Sequence, residues 1–422
     1  MRLACLDAAA AVDFAVSRSP PGAEAVPGLV TADFIGSCSP SRVKLKKAIA
    51  EKNMISGATA EKPQKLSCCH GKLNGKQPLF QDERLGSSAN KMADSHDDFL
   101  KKIVARFPSG ISLAFAYGSG IFSQKGNVSS KNMLDFVFVL EDADQWHKTN
   151  LNLHSHHYSF VGRFGSNAVV SLQDRFGARM YYNTLVPMEG RVIKYGTISR
   201  ENFLLDLNEW QWLYLSGRLH KPVKILHRGD DADILSALKG NLYSAVNVAL
   251  LSLPEFFTEE ELFLSIAGLS FAGDFRMIVG ENKNKVQNIV GPNIEPFRDL
   301  YKPILLKSNE IHFNSSSRKY HQNQEINVIF SRLKSLPRNL LRYVVSSVIS
   351  KEVKASLIEE ALYDTSKDAV NCSQVVRKGI TSIVRKSSIS QSIKGVITAG
   401  GHKTLIYSAQ KINKMLRGIF RG

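Results

Sequence analysis

The sequence predicts an α+β fold in which a mixed β-sheet is followed by a largely helical region. From about residue 91 to residue 228, short apolar runs typical of strands alternate with helical segments. From about 229 to 345, helical periodicity dominates. At 422 residues the chain is too long for one ordinary domain, so we expect two or three packed units with tails.

Local patterns assign elements within each region. In the first region we predict a helix over 201–215 and strands over 111–116, 134–139, 168–172, 178–182, 192–195 and 222–226. In the second region, 231–251 fits a helix that Pro254 ends, and Thr258 with Glu261 predicts a capping box that begins the next helix. The polar segment 309–323 is predicted to be a loop.

The two ends of the chain differ from the middle. Residues 1–90 lack sustained periodicity and are broken by prolines and glycines, so we interpret them as a disordered or targeting extension. Residues 346–422 form a basic C-terminal region, which we predict to associate with a membrane. The predicted regions are therefore 1–90, 91–228, 229–345 and 346–422.

The formal net charge of +17 indicates an acidic partner, such as a nucleotide, a nucleic acid or an anionic membrane. More than half of this charge lies after Asp368, where ten basic residues and no acidic residue occur. The five cysteines have no spacing that suggests a disulfide framework or a zinc site. No apolar run reaches the roughly 18 residues of a membrane span, so we expect any membrane contact to be peripheral.

The last residues predict a membrane-associating helix. Leu416 belongs to a set of apolar residues at helical spacing, Phe420 lies near the end, and Lys411, Lys414 and Arg417 lie on another part of the same helix. Basic amphipathic helices with an aromatic residue near one end are typical of interfaces rich in anionic lipid. The alternative is a terminal helix that packs on the protein, and the sequence leaves both open.

The most informative motif is a glycine-serine-glycine turn between two predicted strands. Tyr117-Gly118-Ser119-Gly120 follows the first strand, and Asp135 lies in the second. Glycines lack Cβ atoms and so let backbone N–H groups approach a triphosphate, to which the Ser119 hydroxyl adds a donor. Asp135 is placed to bind Mg²⁺ that bridges the same phosphates. This layout is the core of the nucleotidyltransferase superfamily, with Asp135 and Ser119 as candidate catalytic residues.

The strand with Asp135 provides no second acidic metal ligand. Many superfamily members have Asp-x-Asp on this strand, but Asp135 is followed here by Phe136 and Val137. A second ligand must therefore come from elsewhere, or the protein holds the metal less fully. Asp206, on a predicted helix, is one candidate, and an exposed helix face is its alternative role.

Three cations and one histidine complete the candidate site. Lys194 ends a predicted strand, and Arg218 and Lys221 flank a turn, so all three can reach a shared cleft and bind phosphate. The ordinary alternative is that they are surface charges. The histidine-rich segment 154–157 has no zinc spacing, and His157 is our candidate for a phosphate or base contact.

Together these motifs resemble the mitochondrial phosphatidate cytidylyltransferase family, peripheral CDP-diacylglycerol synthases also described as translocator assembly and maintenance proteins. The resemblance covers most of the chain, from about 110 to 405. The matching segments are 117–124, 135, 145–147, 157–159, 194–196, 217–223, 272–276, 387–389, 391, 394–395 and 398–400.

The resemblance implies transfer of a cytidylyl group from CTP to phosphatidate with Mg²⁺, giving CDP-diacylglycerol and pyrophosphate for cardiolipin synthesis. It implies a nucleotidyltransferase domain, a winged-helix-like domain, and a peripheral location on the matrix side of the inner mitochondrial membrane. The implied CTP contacts are residues 117–120, His157, Lys194, Tyr195 and Gly196. Asp135, Ser119 and Lys194 would be catalytic, and Arg218 and Lys221 would bind phosphatidate.

The chain departs from the family pattern at one turn and leaves two other functions open. Where the family pattern has Gly-Ala-Gly, this chain has Gly177-Ala178-Arg179. An RNA-directed nucleotidyltransferase would suit the charge, but the basic tail lacks interleaved aromatics, so we expect no nucleic-acid partner. A non-catalytic scaffold at a membrane would suit the missing second acid. The sequence does not predict an oligomeric state.

Overall fold

A computed structural model describes residues 89–125, 132–279, 284–348 and 355–399. Its five-stranded mixed sheet and many helices confirm the predicted α+β class. The tail beyond 399 lies outside the described residues, as does almost all of the 1–90 extension. The membrane residues predicted there therefore stay predictions: Lys411, Lys414, Leu416, Arg417 and Phe420. The four predicted region boundaries stay predictions too.

The described elements are numbered in chain order. The helices are α1 (Ala89–Val104), α2 (Ala143–His154), α3 (Ser166–Arg175), α4 (Arg200–Glu209), α5 (Leu215–Leu219), α6 (Ala232–Leu250), α7 (Glu259–Gly268), α8 (Arg276–Val279), α9 (Lys285–Val290), α10 (Ile294–Leu305), α11 (Ile326–Lys334), α12 (Arg338–Val348), α13 (Ala355–Ser366) and α14 (Ala369–Ala399). The strands are β1 (Ile111–Tyr117), β2 (Leu134–Leu140), β3 (Tyr181–Met188), β4 (Arg191–Ser199), β5 (Lys224–Arg228), β6 (Phe256–Phe257), β7 (Ile311–Asn314) and β8 (Lys319–Gln322).

The larger sheet has the strand order β3-β4-β2-β1-β5. β2 and β4 pair in parallel, whereas the other neighbours pair antiparallel. Both faces of the central strands are covered, because Phe136 and Phe138 of β2 belong to one apolar cluster and Val137 and Val139 belong to another. Burial on both faces explains why β1 and β2 are almost continuously apolar in sequence.

Two helix starts are capped by side chains, and the second is the predicted capping box. The Asp231 side chain accepts hydrogen bonds from the N–H groups of Asp233 and Ile234 at the start of α6. Thr258 and Glu261 form both halves of a capping box at the start of α7. From α6 onward, helices including α14 share a single apolar cluster.

Two predicted elements were wrong. Residues 168–172 are not a strand but lie in α3, where Val169 and Gln173 are buried one helical turn apart. Residues 309–323 are not a loop, because β7 and β8 pair antiparallel within them and β6 adds to β8. Val169 and Gln173 are buried against the rest of the chain, and such packing is not contained in a local pattern.

The predicted helix 201–215 is confirmed only in its first part, which lies in α4. α4 ends at Glu209, because Trp210 and Leu213 have left-handed φ angles of 53° and 50°. The chain therefore turns before α5. Within the described residues, no helix is both long and apolar enough to cross a membrane.

Candidate active site

β1 ends at a turn that packs against the start of β2. Gly118 has a φ of +83°, a left-handed backbone that favours glycine. Its carbonyl accepts hydrogen bonds from the N–H groups of Ile121 and Phe122 at 3.0 and 2.9 Å. A Cβ atom added to Gly118 would lie 3.2 Å from Oδ2 of Asp135. The predicted phosphate-binding turn thus lies directly against the predicted metal ligand.

Ser119 and Gly120 complete this turn. The Asn132 side chain donates a hydrogen bond to the Ser119 carbonyl at 3.1 Å. A Cβ atom on Gly120 would lie 2.9 Å from the carbonyl oxygen of Met133. Both contacts hold the turn against the residues that lead into β2. Ser119 remains partly exposed, so this part of the turn is open to a ligand.

Three neighbouring strands place Tyr117, Asp135 and Lys194 side by side. Tyr117 pairs with Asp135 across β1 and β2, and Asp135 pairs with Lys194 across β2 and β4. Residues directly opposite one another point to the same face of a sheet. Lys194 Nζ lies 3.9 Å from Asp135 Oδ1, and the two side chains are 18% and 22% exposed. Asp135 is the one residue of β2 that is not fully buried, so a ligand can reach the pair.

Two aromatic rings support the cations of the site. Lys194 Nζ lies 4.3 Å from the centre of the Tyr182 ring, and Arg218 Cζ lies 4.3 Å from the centre of the Tyr117 ring. The electron-rich face of an aromatic ring attracts a cation, more strongly where water is excluded. Burial, and then the charge of Asp135, raise the pKa of Tyr117, which keeps its phenol neutral.

Tyr182 is a site residue that sequence reasoning missed, although a signal was present. Gly196 pairs with Tyr182 across β4 and β3. A Cβ atom on Gly196 would collide with the Tyr182 ring and lie 2.6 Å from Met180 Cε. A glycine inside a strand often marks such a close approach. Gly196 therefore leaves room for the ring that lies beneath Lys194.

A cavity beside the turn brings Arg218 and Lys221 together with Tyr117 at the end of β1, whereas Lys194, the third predicted phosphate-binding cation, is not among its lining residues. Its lining combines polar and apolar groups, contributed by Tyr117, Gly118, Phe122, Gln124, Arg218, Lys221, Pro222, Ile289, Asn293 and Phe297. A cavity with cations on part of its wall and rings and aliphatic groups on the rest suits an amphipathic anion.

Lys221 is buried and already hydrogen-bonded. Its amine donates to the Gly217 carbonyl and, at 2.8 Å, to Ser270 Oγ. Burial lowers the pKa of Lys221 well below its usual range, and the charges of Arg218 and Lys285 lower it further. Arg218 is only partly buried, so it is the more accessible cation of the two.

His157 and Tyr195 lie on the other side of the sheet. Tyr195 follows Lys194 in β4, and alternation along the strand directs its side chain into the cluster that contains Phe136. His157 Nδ1 lies 3.1 Å from the Tyr195 hydroxyl, and both residues are buried. The structure therefore does not bring the His157 ring to the face with Asp135.

A buried polar network supports this side of β4. Asn150 Nδ2 donates to the hydroxyls of Tyr158 and Tyr195 at 2.8 and 3.1 Å. His147 Nδ1 lies 2.8 Å from the Tyr158 hydroxyl, and its Nε2 lies 3.1 Å from Oε1 of Gln173. A neutral ring with its proton on Nε2 satisfies both contacts, because the amide oxygen can only accept. Burial lowers the pKa of His147 to about 4, which favours this neutral form.

Asp206 has a structural environment. Its Oδ1 accepts the N–H of Trp212 at 2.9 Å, and its Oδ2 accepts the N–H groups of Tyr214, Leu215 and Ser216 at 3.2, 2.8 and 3.1 Å. These bonds fix the chain at the start of α5. Because four donors already use this buried carboxylate, it does not fit the role of second metal ligand.

Acidic and metal-binding side chains are sparse around the site. In the ranges the structure describes, no group of three or more His, Cys, Asp or Glu side chains could hold a metal ion. The carboxylate of Asp135 faces the turn, with Lys194 and Arg218 as neighbouring charges.

Comparison with known proteins decides the family. The family model described as "Phosphatidate cytidylyltransferase, mitochondrial" matches residues 100–414. The chain belongs to the mitochondrial phosphatidate cytidylyltransferase family. Relatives of that name are 46% identical in Xenopus laevis, over 76% of this chain and 96% of the relative, and 46% identical in Danio rerio, over 76% and 95%. A Drosophila melanogaster relative is 40% identical over 75% and 98%. The predicted resemblance and enzyme class are confirmed.

The departure from the Gly-Ala-Gly pattern of this family now has a backbone explanation. Gly177 and Arg179 have φ angles of +59° and +58°, so both ends of the motif are left-handed. Glycine adopts this conformation without strain, whereas arginine does not. The Arg179 guanidinium donates to the Asp174 carbonyl and lies 5.4 Å from the Trp212 ring, and these contacts offset the strain.

Gly118→Ala tests the contact between the turn and Asp135. We expect kcat to fall about 10-fold or more, because the added methyl group displaces the carboxylate. Gly110→Ala is the matched control: Gly110 has a φ of +86°, but an added Cβ would meet no atom within 4 Å. Both variants should lose stability on the order of 1 kcal/mol in thermal unfolding. Equal losses of kcat in the two variants would contradict the contact.

The neutral His147 predicts acid sensitivity of the fold. Its pKa is about 4 in the folded chain and 6.5 as the ordinary value, so the unfolded state binds more protons between these values. The free energy of unfolding should therefore fall as pH falls from 6.5 to 4, with His147 contributing on the order of 3 kcal/mol.

Urea unfolding at several pH values checks this expectation. His147→Gln should flatten the pH dependence, whereas His156→Gln at an exposed position should leave it unchanged. Burial and the charge of Lys221 lower the pKa of His220 to about 3, so some acid sensitivity remains in both variants. An undiminished slope in His147→Gln would show that this histidine is not buried neutral.

Proposed function

We propose that this chain transfers a cytidylyl group from CTP to phosphatidate, forming CDP-diacylglycerol and pyrophosphate. The alignment of Gly118, Asp135 and Lys194 on one face of the sheet, in a chain of this family, is the observation that carries the proposal. A glycine-containing turn, a carboxylate and a cation in one place suit a triphosphate. The relatives are named for this same activity.

The reaction requires alignment more than proton transfer. Phosphatidate is a phosphate monoester, whose second pKa near about 6 leaves it largely ionised at neutral pH. One of its oxygens attacks the α-phosphorus of CTP and forms a new P–O bond. The bond from that phosphorus to the oxygen bridging to the β-phosphate breaks, and pyrophosphate leaves with the electron pair. No general base is needed, which agrees with the absence of an obvious one in the sequence.

We assign the nucleotide contacts to the face with Asp135. The backbone at 118–120 and the Ser119 hydroxyl would orient the triphosphate, and Lys194 would neutralise charge that develops as pyrophosphate leaves. Tyr117 shapes this face through its ring, which lies beneath Arg218, and Gly196 through its close approach to Tyr182. His157 and Tyr195 would act indirectly, by fixing β4 from its other side.

Mg²⁺ fits the residues that are present. It is commonly held by one or two carboxylates together with substrate phosphates and water. Asp135 is partly exposed and lies against the turn, so its carboxylate would hold the ion beside a bound triphosphate. When bound, the ion would supply neutralisation of phosphate charge and stabilisation of the leaving group.

Arg218 is our candidate for direct contact with the phosphatidate phosphate. It lines the cavity beside Gly118, and a planar guanidinium matches phosphate oxygens in pairs. Lys221 directs its amine to Gly217 and Ser270, so we assign it a supporting role that fixes the chain next to Arg218. The apolar part of the cavity wall suits the glycerol and the first methylene groups of the lipid.

We infer the finer fold and location from the same family. The sheet region would be a nucleotidyltransferase fold, and the helices from α6 onward with the sheet β6-β8-β7 would be winged-helix-like. Relatives are named mitochondrial, and we propose a peripheral position on the matrix side of the inner membrane.

The exposed face of α14 supports contact with an anionic membrane. Arg385 and Lys386 are exposed, and one turn further on the exposed residues become Ile389, Ile393 and Ile397, at 38%, 60% and 43% exposure. Basic groups followed by apolar groups match the headgroup and acyl layers of an anionic bilayer. The predicted amphipathic segment 404–422 follows directly in the sequence.

Asp135→Asn tests the reaction. With Mg²⁺, radiolabelled CTP and phosphatidate vesicles, the parent chain should form labelled CDP-diacylglycerol, and Asp135→Asn should lower kcat by at least about 100-fold. Asp98→Asn, at an exposed helical position, is the control and should retain full activity. Label on RNA would favour an RNA-directed transferase. Vesicle binding without transfer of any nucleotide by the parent would favour a scaffold.

Ile393→Ser combined with Ile397→Ser tests the membrane surface. Losing two apolar side chains from the interface should lower the partition coefficient on anionic vesicles about 10-fold or more, measured by sedimentation. Val370→Ser, at 68% exposure near the start of the same helix, is the control for a general loss of surface hydrophobicity. Removal of 404–422 should also weaken binding. Unchanged sedimentation of the double variant would exclude this face of α14.

A further inference from the structure

The buried face of α14 binds the connection between α3 and β3, residues 176–180. Oε1 of Gln391 accepts the N–H of Ala178 at 2.8 Å, and Nε2 donates to the Met180 carbonyl at 3.2 Å. Gln391 is 5% exposed. Gly177 packs so closely that an added Cβ would lie 2.5 Å from the same amide oxygen. One side chain of α14 thus satisfies both a donor and an acceptor of this connection.

Lys394 binds the same part of the chain one turn further along α14. Its Nζ donates to the carbonyls of Gln173 and Phe176 at 2.9 and 3.0 Å, and the residue is 2% exposed. Burial lowers the pKa of Lys394 to about 7, and a neutral amine still offers one N–H to each carbonyl. The contact therefore holds in either protonation state.

The connection held by Gln391 leads directly to the candidate catalytic lysine. Met180, whose carbonyl accepts from Gln391, is followed two residues later by Tyr182 at the start of β3. The Tyr182 ring lies beneath Lys194 Nζ at 4.3 Å. Met180 and Tyr182 both pack against Gly196 of β4. The Tyr182 ring and β3 therefore cannot shift without moving β4.

A second route runs through the buried network. The Gln173 carbonyl accepts from Lys394, while Oε1 of the same residue accepts the Thr197 hydroxyl at 2.7 Å. Thr197 belongs to β4, the strand that contains Lys194. Two consecutive turns of α14 are thereby connected to both strands that position the ammonium group.

We propose that Gln391 and Lys394 are positioning residues for cytidylyl transfer, and that α14 is part of the scaffold of the active site as well as of its membrane surface. They act by fixing the α3–β3 connection, and through it the Tyr182 ring and Lys194. The proposal rests on the proposed role of Lys194. This positioning role differs from simple structural support because it predicts a change in the reactivity of Lys194 alone, not a loosening of the whole fold.

Gln391→Leu is the main variant, since it keeps the side-chain volume and removes both hydrogen bonds. We expect kcat to fall about 10-fold, because a displaced Lys194 stabilises the leaving pyrophosphate less well. Ser382→Ala is the matched control: it lies on an exposed face of the same helix and its hydroxyl donates only to the Lys378 carbonyl in the preceding turn. Vesicle binding should be the same in the parent chain, Gln391→Leu and Ser382→Ala.

The distinguishing measurement is the reactivity of individual lysines. Brief treatment with acetic anhydride, read by mass spectrometry, should label Lys194 several-fold faster in Gln391→Leu, since its side chain is only 18% exposed in the intact site. Labelling of Lys148 on α2 should not change. Lys394→Met keeps the Gln391 bonds and provides a second, independent variant should Gln391→Leu fold poorly; it should produce the same pattern with a smaller loss of kcat.

Three results would overturn the proposal. They are unchanged kcat in both folded variants, a loss of kcat with unchanged Lys194 labelling, and faster labelling of all lysines, which would indicate general loosening. Failure of the proposed function is distinguishable from these, because the parent chain would then form no labelled CDP-diacylglycerol. Full activity in Lys194→Met would instead remove the role of Lys194. If Lys194→Met loses activity and the Gln391 and Lys394 variants do not, the role of Lys194 stands and the positioning role of α14 is wrong.

Discussion

The parallel pairing of β2 with β4 is the constraint on which the site depends. It places Lys194 opposite Asp135, while the antiparallel pairing of β1 with β2 places Tyr117 on the other side of the same carboxylate. A shift of one residue in either pairing would turn every side chain of the strand to the opposite face. Such a shift is strongly disfavoured here, because it would turn the Asp135 carboxylate into the apolar cluster that contains Phe136 and Phe138. The packing of the core therefore fixes the geometry of the charged groups.

The charge balance of the site follows from its substrates. The carboxylate of Asp135 lies near Lys194 and Arg218, and Lys221 lines the same cavity as Arg218. Clustered cations repel one another when the site is empty, and the aromatic rings beneath two of them reduce that cost. A triphosphate and a phosphate monoester together bring enough negative charge to compensate the cluster fully. A second acid would weaken this attraction, and an ionised acceptor does not require one as a base.

The parts of the site that could be predicted from sequence are those made by neighbours along the chain. The strand, the turn at Gly118 and the strand with Asp135 form a local pattern, and their packing agreed with it. Asp206 and His157 could not be placed, because helix position does not reveal that four backbone donors converge on one carboxylate, nor which sheet face a loop covers. The hairpin within 309–323 was missed because its strands are short and mostly polar, with Ile311 and Gln322 as their buried residues, so they lack the apolar alternation of a typical strand.

Long-range contacts also explain why α14 could be interpreted only as a basic tail. Its sequence shows serines, lysines and isoleucines without a strong apolar stripe, and the reason is that its two faces meet different surroundings. Gln391 and Lys394 are polar and buried, because they form hydrogen bonds with backbone groups more than two hundred residues away in the sequence. Ile393 is apolar and exposed, on the side that we assign to a bilayer. The first half of α14 buries apolar residues such as Val376 and Ile380, whereas from Ser387 onward its buried residues are polar and its exposed residues include isoleucines. The second half thus inverts the usual soluble pattern, and this inversion is expected where a protein surface must lie against lipid.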